Sequence, residues 1–426
     1  MSTVLLLATT TGYQIRAFDG AAAALGITLV LGTDRCDHLE DPWSDRAIPV
    51  RFHDIPGSVE AVVASFKGGR PDGILAVGDR PTALAAHLAM AFGLPGHGVA
   101  AAEASRNKLT AHLAFRAAGL PTATCRVVAL GDSPDRVATG TTYPAVIKPL
   151  ALSGSRGVMR VDGVAQCRAA FERLRQILLA PDVRSERDPA HDRILVESFI
   201  PGREYAVEGV LTEGRFQLLA LFDKPDTLDG PFFEETIYVT PSRAADRVQA
   251  QIVRAIARAA GALGLRHGPV HAECRVNDND VHVLEVAARP IGGLCARAVR
   301  LREGAGHEVS LEEVLLRHAV GGDVSGYQRG AGASGVMMIP IPKRGVLRGV
   351  EGLDAARAVA AIDDIRITAK TDAVLVPLPE GRSYLGFIFA RGTDPASVEQ
   401  SLRQAHACIR FRIDREVVVT GTHPQR

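Results

Sequence analysis

Apolar runs alternate with helix-period segments over the first hundred residues. An apolar run at residues 4–8 is followed by a helical pattern at 13–25 and a second apolar run at 27–31. Another pair, an apolar run at 74–77 and a helical pattern at 83–92, continues the alternation. Strands that alternate with helices form parallel sheets with helices on both faces. This part of the chain is therefore predicted to be a Rossmann-like, doubly wound α/β domain.

The middle of the chain mixes helical and strand patterns in longer blocks. Helical periodicity covers residues 101–119, which include Lys108, and residues 164–179 and 244–263. Strand patterns cover residues 125–130, 143–149 and 194–200, and further strands run on to residue 222. A polar stretch at 181–193 is predicted to be exposed. The block is therefore predicted to be α+β.

The last quarter begins after a Gly-rich stretch at 321–332, which is predicted to be a linker. Strand patterns follow at residues 335–341, 373–377, 384–391 and 408–413, with a helical pattern at 395–407. The order of elements predicts a separate α+β cap domain at residues 330–420.

Two alternating segments, 268–276 and 281–289, are joined by the turn-forming residues 277–280, which predicts a β-hairpin. Side chains alternate along a strand, so His271, Glu273 and Arg275 share one face. Glu285, Ala287 and Arg289 share a face of the second strand. A three-residue loop at 278–280 would set Glu273 directly opposite Glu285.

Two carboxylates that face each other across a ladder repel. A divalent cation between Glu273 and Glu285 would reverse that cost, and hard cations such as Mg²⁺ prefer carboxylate oxygen. The alternative is a solvated hairpin edge, where most charged strand residues lie. The hairpin by itself leaves both interpretations open.

The composition of the chain limits the kinds of partner and compartment that are expected for it. The 426 residues are 46% hydrophobic and 23% charged, enough to bury cores in about three domains. A net charge of +1 and an aromatic content of 5% argue against nucleic acid. The six cysteines are scattered without a Cys-x-x-Cys pair, which is typical of a reducing compartment. No apolar stretch approaches the roughly 18–20 residues of a membrane span. A soluble, cytoplasmic protein without a membrane partner is expected.

A lysine and a flexible loop follow one another near residue 150. Lys148 ends a predicted strand and precedes a Gly/Ser-rich loop at residues 152–158. Successive backbone N–H groups of such a loop can surround phosphate oxygens, and a lysine adds a point charge. The loop lacks the pattern of a P-loop, so a plain flexible hairpin tip is the alternative.

These features, taken in order, resemble the ATP-grasp superfamily. The resemblance depends on Lys108, on Lys148 with the loop Ser-Gly-Ser-Arg-Gly at 153–157, on Glu-Ser-Phe-Ile at 197–200, and on Glu204, Glu273, Glu285 and Arg289. It covers roughly residues 1–320. It implies a Rossmann-like domain at residues 1–100 and an ATP-grasp domain at 101–325, whose lid subdomain spans 120–200. Two α+β subdomains would clamp ATP between them, with the α+β cap domain behind.

The resemblance also implies roles for these residues. Lys108 and Lys148 would hold the α- and β-phosphates, and Ser153, Gly154, Ser155 and Gly157 would close over the β- and γ-phosphates. Glu197 would accept from the adenine amino group, the main chain of Ser198, Phe199 and Ile200 would bond the ring edge, and Glu204 would hold the ribose. Glu273 and Glu285 would carry Mg²⁺, for which Mn²⁺ is a substitute. Many members have Glu-x-Asn at the second metal strand. This chain has Ala287 instead, so waters or a bidentate carboxylate would complete the metal shell.

Within the superfamily the chain looks most like the L-amino acid ligases. The stretches Gly-Pro-Val-His-Ala-Glu at 268–273, Glu-Val-Ala-Ala-Arg-Pro-Ile-Gly-Gly at 285–293 and Pro-Phe-Phe-Glu-Glu-Thr at 231–236 carry this likeness. The last third resembles that family's additional C-terminal domain. The resemblance implies that a substrate carboxylate attacks the γ-phosphorus of ATP, and that an amine then attacks the acyl phosphate.

Five residues are candidates for the substrate side. Arg289 suits the transferring phosphoryl group and the acyl oxyanion, because its guanidinium is always charged. Its alternative is a structural ion pair with Glu285 or Glu273. His271 would bind a substrate carboxylate or be a structural histidine, and Glu235 would pair with a substrate ammonium or be a solvated loop charge. Gly292 and Gly293 would admit substrate bulk or form an ordinary turn.

Two other functions share part of this pattern. A carboxylase of the biotin-carboxylase type would phosphorylate bicarbonate with the same clamp and would need a biotinylated partner. A non-catalytic nucleotide-binding module is the second alternative. The expected partners are small amino-acid-like substrates, and a symmetric homodimer is the default assembly.

Overall fold

The computed structural model describes residues 2–9, 12–34, 47–278 and 280–416. Cys36 lies outside these residues, and the other five cysteines are free thiols. Among the described residues, no helix combines the length and the apolar character that a membrane crossing requires.

The N-terminal domain is an α/β unit, as predicted. Its elements are β1 (Thr3–Ala8), α1 (Gly12–Leu25), β2 (Thr28–Thr33), β3 (Ala47–Pro49), α2 (Ile55–Ser65), β4 (Gly73–Val77) and α3 (Pro81–Phe92). The strands form a parallel sheet in the order β3-β2-β1-β4. Side chains of β1 alternate between two cores. Leu5 and Leu7 pack with α2 and α3, whereas Val4 and Leu6 pack with α1.

The predicted helix at 101–119 is two helices, α4 (Val99–Arg106) and α5 (Lys108–Ala117). Asn107 interrupts them with an extended backbone (φ −109°, ψ 110°), and its side chain accepts from the N–H groups of Leu109 and Thr110. An asparagine that caps a helix in this way satisfies N–H groups that have no partner within the helix. Lys108 is therefore the first residue of α5 and does not lie inside a longer helix.

The lid subdomain is a four-stranded antiparallel sheet in the order β5-β8-β6-β7, covered by one long helix. Its elements are β5 (Cys125–Ala129), α6 (Pro134–Thr139), β6 (Ala145–Pro149), β7 (Met159–Val161), α7 (Val164–Leu179), α8 (Pro181–Arg184) and β8 (Arg193–Ser198), with a 3₁₀ turn at Pro189–Asp192. The prediction that residues 181–193 are exposed is wrong for part of the stretch, because Val183 and His191 are buried beneath it.

The central sheet has eight strands and runs through two of the predicted domains. Its first part contains β9 (Arg203–Thr212), β10 (Arg215–Asp223), β11 (Ile237–Thr240), α9 (Asp246–Leu263), β12 (Gly268–Asn277) and β13 (Asp280–Ala287). The apolar face of α9, which includes Ile252 and Ile256, packs on the core beneath the β12–β13 hairpin.

The predicted hairpin is present, but a different turn and a bulge produce the register of its two strands. Asn277 pairs with Asp280, so the connection is one residue shorter than the predicted loop at 278–280. A bulge then inserts one additional residue of β13, since Cys274 pairs with Val283 and Glu273 pairs with Glu285. The bulge compensates for the short turn, and the two glutamates lie opposite each other as predicted.

The C-terminal segment is an α+β unit, as predicted, and three of its strands also extend the central sheet. Its elements are β14 (Arg300–Glu303), β15 (Val309–Ser310), α10 (Leu311–Ala319), β16 (Tyr327–Arg329), β17 (Ala333–Ile339), β18 (Gly345–Glu351), α11 (Leu353–Arg357), β19 (Ile362–Ile367), β20 (Val374–Leu375), β21 (Gly386–Gly392), α12 (Pro395–Cys408) and β22 (Arg410–Asp414). The sheet order β13-β12-β9-β10-β11-β17-β21-β19 shows the continuity. The predicted linker contains β16, which pairs with β14.

Candidate active site

One cavity of about 300 Å³ lies where the lid, the central sheet and the C-terminal segment meet. All of the predicted site residues except Gly157 and Ser198 line it, namely Lys108, Lys148, Ser153, Gly154, Ser155, Glu197, Phe199, Ile200, Glu204, Glu235, His271, Glu273, Glu285, Arg289, Gly292 and Gly293. The structure therefore brings together residues that lie up to 185 positions apart in the chain, a span set by Lys108 and Gly293. Asp79, Tyr238, Arg275 and Tyr384, which sequence reasoning did not select, also line the cavity.

A buried lysine holds three carboxylates at the inner wall of the cavity. Lys224 Nζ lies 2.8 Å from an oxygen of Glu204, 2.8 Å from Glu235 and 2.9 Å from Glu273. Burial opposes the charged lysine, but the three carboxylates outweigh it and hold the pKa of Lys224 well above its ordinary value. The three acids could be taken for a metal site. The lysine ammonium bonds to each of them in this arrangement, so Lys224 supplies the positive charge at this group.

Glu235 and Glu273 share a hydrogen-bond donor besides Lys224. The Tyr238 hydroxyl lies 2.6 Å from Glu235 Oε1 and 3.3 Å from Glu273 Oε1. Burial raises the pKa of Glu235 to about 7, because attraction by Lys224 only partly offsets it. Burial also opposes ionisation of Glu273, but Lys224 and His271 hold its pKa well below the usual range. Of the two acids, Glu273 is therefore the one that is held as a carboxylate.

The second glutamate of the hairpin is paired with the first residue of α5. Lys108 Nζ lies 3.2 Å from Glu285 Oε2 and donates to the Leu152 carbonyl at 2.9 Å. Burial would lower the pKa of Lys108, but Glu285 and Asp79 raise it. The break at Asn107 sets this position, because it starts α5 where Lys108 can reach both the hairpin and the loop that follows Lys148.

Arg289 is anchored by an acid from the N-terminal domain. Its Nε and Nη2 donate to Asp79 Oδ1 and Oδ2 at 2.9 Å and 3.4 Å. The alternative interpretation, in which Arg289 forms an ion pair with Glu273 or Glu285, is therefore wrong, because Arg289 pairs with Asp79 instead. Burial raises the pKa of Asp79, but Arg289 outweighs it and the net direction is downward. Asp79 could have been found from the sequence, because it directly follows the carboxyl end of the parallel strand β4, where ligands bind in open α/β sheets.

His271 is hydrogen-bonded to a fully buried acid on the neighbouring strand. Its Nδ1 lies 3.1 Å from Glu208 Oε2, and Glu208 also accepts from the Ile291 N–H group. Burial disfavours the imidazolium, but the carboxylates of Glu208 and Glu273 outweigh it and raise the pKa of His271 to about 9. Sequence reasoning missed Glu208. The available signal was a carboxylate within the apolar run of β9, because acids are almost never fully buried unless they are paired.

The lysine of the lid and the loop after it face the cavity from the other side. Lys148 Nζ lies 2.6 Å from Glu197 Oε1, and both side chains are buried. Gly154 and Ser155 both have positive φ, at 65° and 54°. Both residues lie in a turn, and the successive backbone N–H groups of a turn can form a site for an anion. The Gly157 N–H donates instead to the Pro379 carbonyl of the C-terminal segment at 2.9 Å.

The main chain at 198–200 contradicts part of the role implied for it. The N–H groups of Ser198 and Phe199 donate to the carbonyls of Thr124 and Pro144 at 2.9 Å and 3.1 Å. The Ile200 carbonyl accepts from Arg275 Nη1 at 2.8 Å. These three groups already have partners within the protein, so they do not bond the edge of an adenine ring in this arrangement.

Glu204 is likewise tied to two cations. Its Oε2 accepts from Arg275 Nε at 2.9 Å, and its Oε1 accepts from Lys224. Arg275 also lies over the ring of Phe199, with 5.2 Å between Cζ and the ring centroid. Glu204 therefore contributes to the rigidity of this end of the cavity besides any bond to a ligand.

The donor set fits a divalent cation at the hairpin. Glu273 and Glu285 are directly opposed across the ladder, and carboxylate oxygens are the ligands that Mg²⁺ prefers. Lys224 and Lys108, which are not ligands, neutralise them in the arrangement described here. Ala287 offers no oxygen from its side chain, so the protein supplies two carboxylates and the rest of the shell must come from elsewhere.

Family models match the chain in three places. A model of the ATP-grasp N-terminal domain matches residues 18–96, one of the ATP-grasp domain matches 141–298, and one of the L-amino acid ligase C-terminal domain 2 matches 337–414. The chain is therefore similar to ATP-grasp proteins along most of its length, and to L-amino acid ligases in its last part. Most of the residues that line the central cavity fall within the ATP-grasp match at 141–298. The match at 337–414 covers most of the segment that extends the central sheet.

Two of the curated relatives are named as a synthase and as a ligase. Carnosine synthase 1 from Gallus gallus is 31% identical over 59% of this chain and 27% of its own length. Alanine–anticapsin ligase from Bacillus subtilis is 30% identical over 47% of this chain and 44% of its own length. The chain spans between 27% and 64% of the length of the first curated relatives it matches.

A solved structure shares the whole architecture. The L-amino acid ligase from Bacillus licheniformis superposes with a TM-score of 0.79, covering 97% of this chain and 99% of its own, at 23% identity. At that identity the likeness establishes the fold. The extension of the ATP-grasp sheet by the C-terminal segment is part of the 97% that superposes.

Proposed function

We propose that this protein is an ATP-dependent carboxylate–amine ligase that joins two small amino-acid-like substrates and releases ADP and phosphate. One observation carries the proposal. A single cavity is lined by two lysines, by the opposed pair Glu273 and Glu285, and by Arg289. Phosphoryl transfer depends mainly on positioning and on stabilisation of negative charge, and this set provides both.

ATP would bind with its phosphates between the lid and the hairpin. Lys108 and Lys148 line the cavity there and would hold the α- and β-phosphates. The loop of Ser153, Gly154 and Ser155 would cover the β- and γ-phosphates. A Cβ built on Gly154 meets no atom within 4 Å, so its backbone is open to a close approach by oxygen. Phe199 and Ile200 would contact the base, and Glu204 the ribose.

Glu273 and Glu285 would hold Mg²⁺, or Mn²⁺ in its place. When bound, the cation would neutralise phosphate oxygens and keep the triphosphate in position. The opposition of the two carboxylates across the ladder supports this assignment. Because Ala287 cannot ligate, a single ion completed by water and phosphate oxygens is the simplest arrangement.

The chemistry would proceed in two steps. A carboxylate oxygen of the first substrate attacks the γ-phosphorus, the bond to the bridging oxygen breaks, and ADP leaves with that electron pair. The amine of the second substrate then attacks the acyl carbon, the bond to the phosphate oxygen breaks, and the amine loses a proton. Negative charge grows on oxygen in both steps. Arg289, held in place by Asp79, would stabilise it with the N–H groups of Nη1 and Nη2 that do not bond to Asp79 or to the Pro290 carbonyl.

The substrates would lie beside the hairpin. His271, whose pKa is raised to about 9, would bind a substrate carboxylate as an imidazolium. Glu235 would receive the substrate ammonium in place of part of its bond to Lys224. Gly292 would leave room for a side chain, because a Cβ built on it meets no atom within 4 Å. Gly293, at φ 63°, would shape the turn beside it.

The match of residues 337–414 to an L-amino acid ligase domain supports this reaction over carboxylation of the biotin-carboxylase type. The relatives' names, carnosine synthase and alanine–anticapsin ligase, support amide formation as well. A non-catalytic nucleotide-binding module would have no need to retain Arg289 with its anchor Asp79.

The test is a phosphate-release screen over pairs of amino acids with Mg·ATP, in which product masses are recorded. A ligase releases phosphate only with matching substrates and yields masses one water below the sum of the two. Phosphate release that depends on bicarbonate alone would favour the carboxylase. Release at background with every pair, despite ATP binding, would favour the non-catalytic module.

We also propose that the protein works in a reducing, cytoplasmic setting as a symmetric homodimer. The five described cysteines are free, and three of them are buried and suit a reducing compartment. Sedimentation equilibrium tests the assembly, and a mass at that of the single chain would remove the dimer.

A further inference from the structure

A loop of the C-terminal segment crosses to the lid beside the cavity. This strap, residues 377–384, connects β20 to β21. Its own turn is tight, because the Gly381 N–H donates to the Pro377 carbonyl at 2.8 Å. A Cβ built on Gly381 would lie 1.8 Å from the Val376 carbonyl oxygen, so no other residue fits there without a shift of the backbone. The strap is thus a defined turn.

Three groups of the strap bond to the lid. The Pro379 carbonyl accepts from the Gly157 N–H at 2.9 Å, and the Glu380 carbonyl accepts from Arg156 Nε at 2.9 Å. The Glu380 carboxylate pairs with Arg173 of α7, with 2.8 Å between Oε2 and Nη2. Gly157 and Arg156 belong to the loop that follows Lys148. We call this loop, residues 152–158, the phosphate loop. The strap therefore bonds both to the phosphate loop and to helix α7 behind it.

The two lid arginines that bond to the strap, Arg156 and Arg173, are themselves held by other residues. Arg156 bonds to Asp182 with two nitrogens, at 2.6 Å and 3.3 Å, and is itself buried. Arg173 lies over the ring of Phe232, with 5.0 Å between Cζ and the ring centroid. Both arginines are directed to the strap and do not line the cavity, whereas Arg382 and Tyr384 of the strap do.

We propose that the strap positions the phosphate loop, and that Glu380 is its principal positioning residue. The inference rests on the proposed function, because it concerns where Ser153, Gly154 and Ser155 lie when they cover the phosphates of ATP. The Gly157 N–H donates to the strap, so the backbone N–H groups of the preceding residues are the ones that would face the nucleotide. A contact that forms only when the loop lies over the cavity favours the same state that bound nucleotide favours, so each stabilises the other.

Limited trypsin digestion with a non-hydrolysable ATP analogue tests the position of the loop directly. Trypsin cleaves after arginine, and the bond after Arg156 lies at the contact, so the appearance of the fragment 1–156 reports opening. If the strap holds the phosphate loop in place, cleavage after Arg156 should be slow, and the bound analogue should slow it further. Glu380→Arg opposes Arg173 and should accelerate this cleavage about tenfold, whereas the milder Glu380→Gln should accelerate it about twofold to fivefold, as for a half-exposed ion pair.

The same variants should raise the KM for ATP by a similar factor and leave the KM of the amine substrate and kcat within about twofold. The double variant Glu380→Arg with Arg173→Glu restores the ion pair with the two charges exchanged. It should return the rate of cleavage after Arg156 and the KM for ATP toward those of the parent. A residue that was merely structural would lower the melting temperature without this selective effect on ATP.

The matched control is Asp135→Asn, which breaks an exposed pair with Arg168 in the same subdomain but away from the strap. It should change neither cleavage after Arg156 nor the KM for ATP. If Glu380→Arg does not fold, Arg173→Gln breaks the same pair from the lid side. Unchanged cleavage after Arg156 in the variants that fold would overturn the proposal. The digestion needs only ATP binding, so a lack of ligase activity would count against the proposed function and not against the strap.

Discussion

Lys108, Lys148 and Arg289 of the cavity are each held by an opposite charge in the structure described here. Lys148 pairs with Glu197, Lys108 with Glu285, and Arg289 with Asp79. Buried charges of this kind are costly unless they are paired. The pairs therefore hold the side chains in place, so a triphosphate can bind to the lysines without a large rearrangement of the protein.

Arg289→Ala should abolish amide formation while ATP still binds. The variant loses the guanidinium that Asp79 anchors and that can bridge two oxygens, which predicts a loss of about 100-fold or more in kcat. Calorimetry should find the Kd for ATP within about threefold of the parent. Asp79→Asn is the matched variant, since it keeps the guanidinium but loosens it, and its kcat should fall less. Unchanged turnover in Arg289→Ala would remove this residue from the mechanism.

Glu285→Gln should weaken the binding of Mg·ATP strongly and should barely affect metal-free ATP. The change keeps the shape of the side chain but removes one of the two carboxylates that would hold the cation. Titrations at several Mg²⁺ concentrations separate the two effects. Equal nucleotide affinity with and without the substitution, at saturating Mg²⁺, would refute the metal assignment.

Breaks and bulges in the elements set the geometry of the cavity. The bulge in β13 places Glu285 opposite Glu273, and the break at Asn107 places Lys108 at the start of α5. Helix α7, Val164–Leu179, was predicted at its observed bounds, because a long amphipathic pattern is little affected by its surroundings. The break at Asn107 was missed because one polar residue within an apolar periodicity changes the pattern very little.

Asn107→Ala should destabilise the protein by about 1 kcal/mol, the usual cost of a lost N-cap. It should also raise the KM for ATP, since the start of α5 carries Lys108. Urea unfolding measures the first effect and steady-state kinetics the second. Asn107→Asp retains an acceptor for Leu109 and Thr110 and should behave like the parent. An alanine variant with unchanged stability would mean that the cap contributes nothing.

At the scale of the whole molecule, three segments meet at a group of histidines remote from the cavity. The rings of His267 and His318 stack with 4.2 Å between centroids, and His318 Nε2 lies 2.9 Å from Thr212 Oγ1. His97, from the end of the N-terminal domain, bonds to the Pro269 carbonyl. Burial, reinforced by the neighbouring histidines, lowers the pKa of His318 to about 4.

This junction predicts a loss of stability in mild acid. A histidine whose pKa is lower in the folded state stabilises the protein fully above its unfolded value, near 6.5, and less as the pH falls below it. The free energy of unfolding should drop by about 2 kcal/mol between pH 7 and pH 5 through His318 alone. Chemical denaturation at the two pH values measures it. His318→Gln, which can still bond to Thr212, should flatten this dependence; an equal drop in that variant would contradict the assignment.

The sequence by itself predicted many of the strands and helices and most of the charged residues that line the cavity. Local periodicity and residue type are properties of neighbouring positions, so the parallel N-terminal sheet, the hairpin and the residues around the cavity could be predicted from them. The opposition of Glu273 and Glu285 was also predicted, although the turn and the bulge behind it were not.

The tertiary structure alone decided which charges meet. Asp79 and Arg289 lie 210 positions apart, and Glu208 reaches His271 from a different strand 63 positions earlier. No role for Lys224 could be predicted from the sequence, because two strands and a loop bring Glu204, Glu235 and Glu273 around it only in the folded protein. Such pairings depend on how distant elements pack, which no local pattern records. The same packing carries the strap of the C-terminal segment over to the phosphate loop.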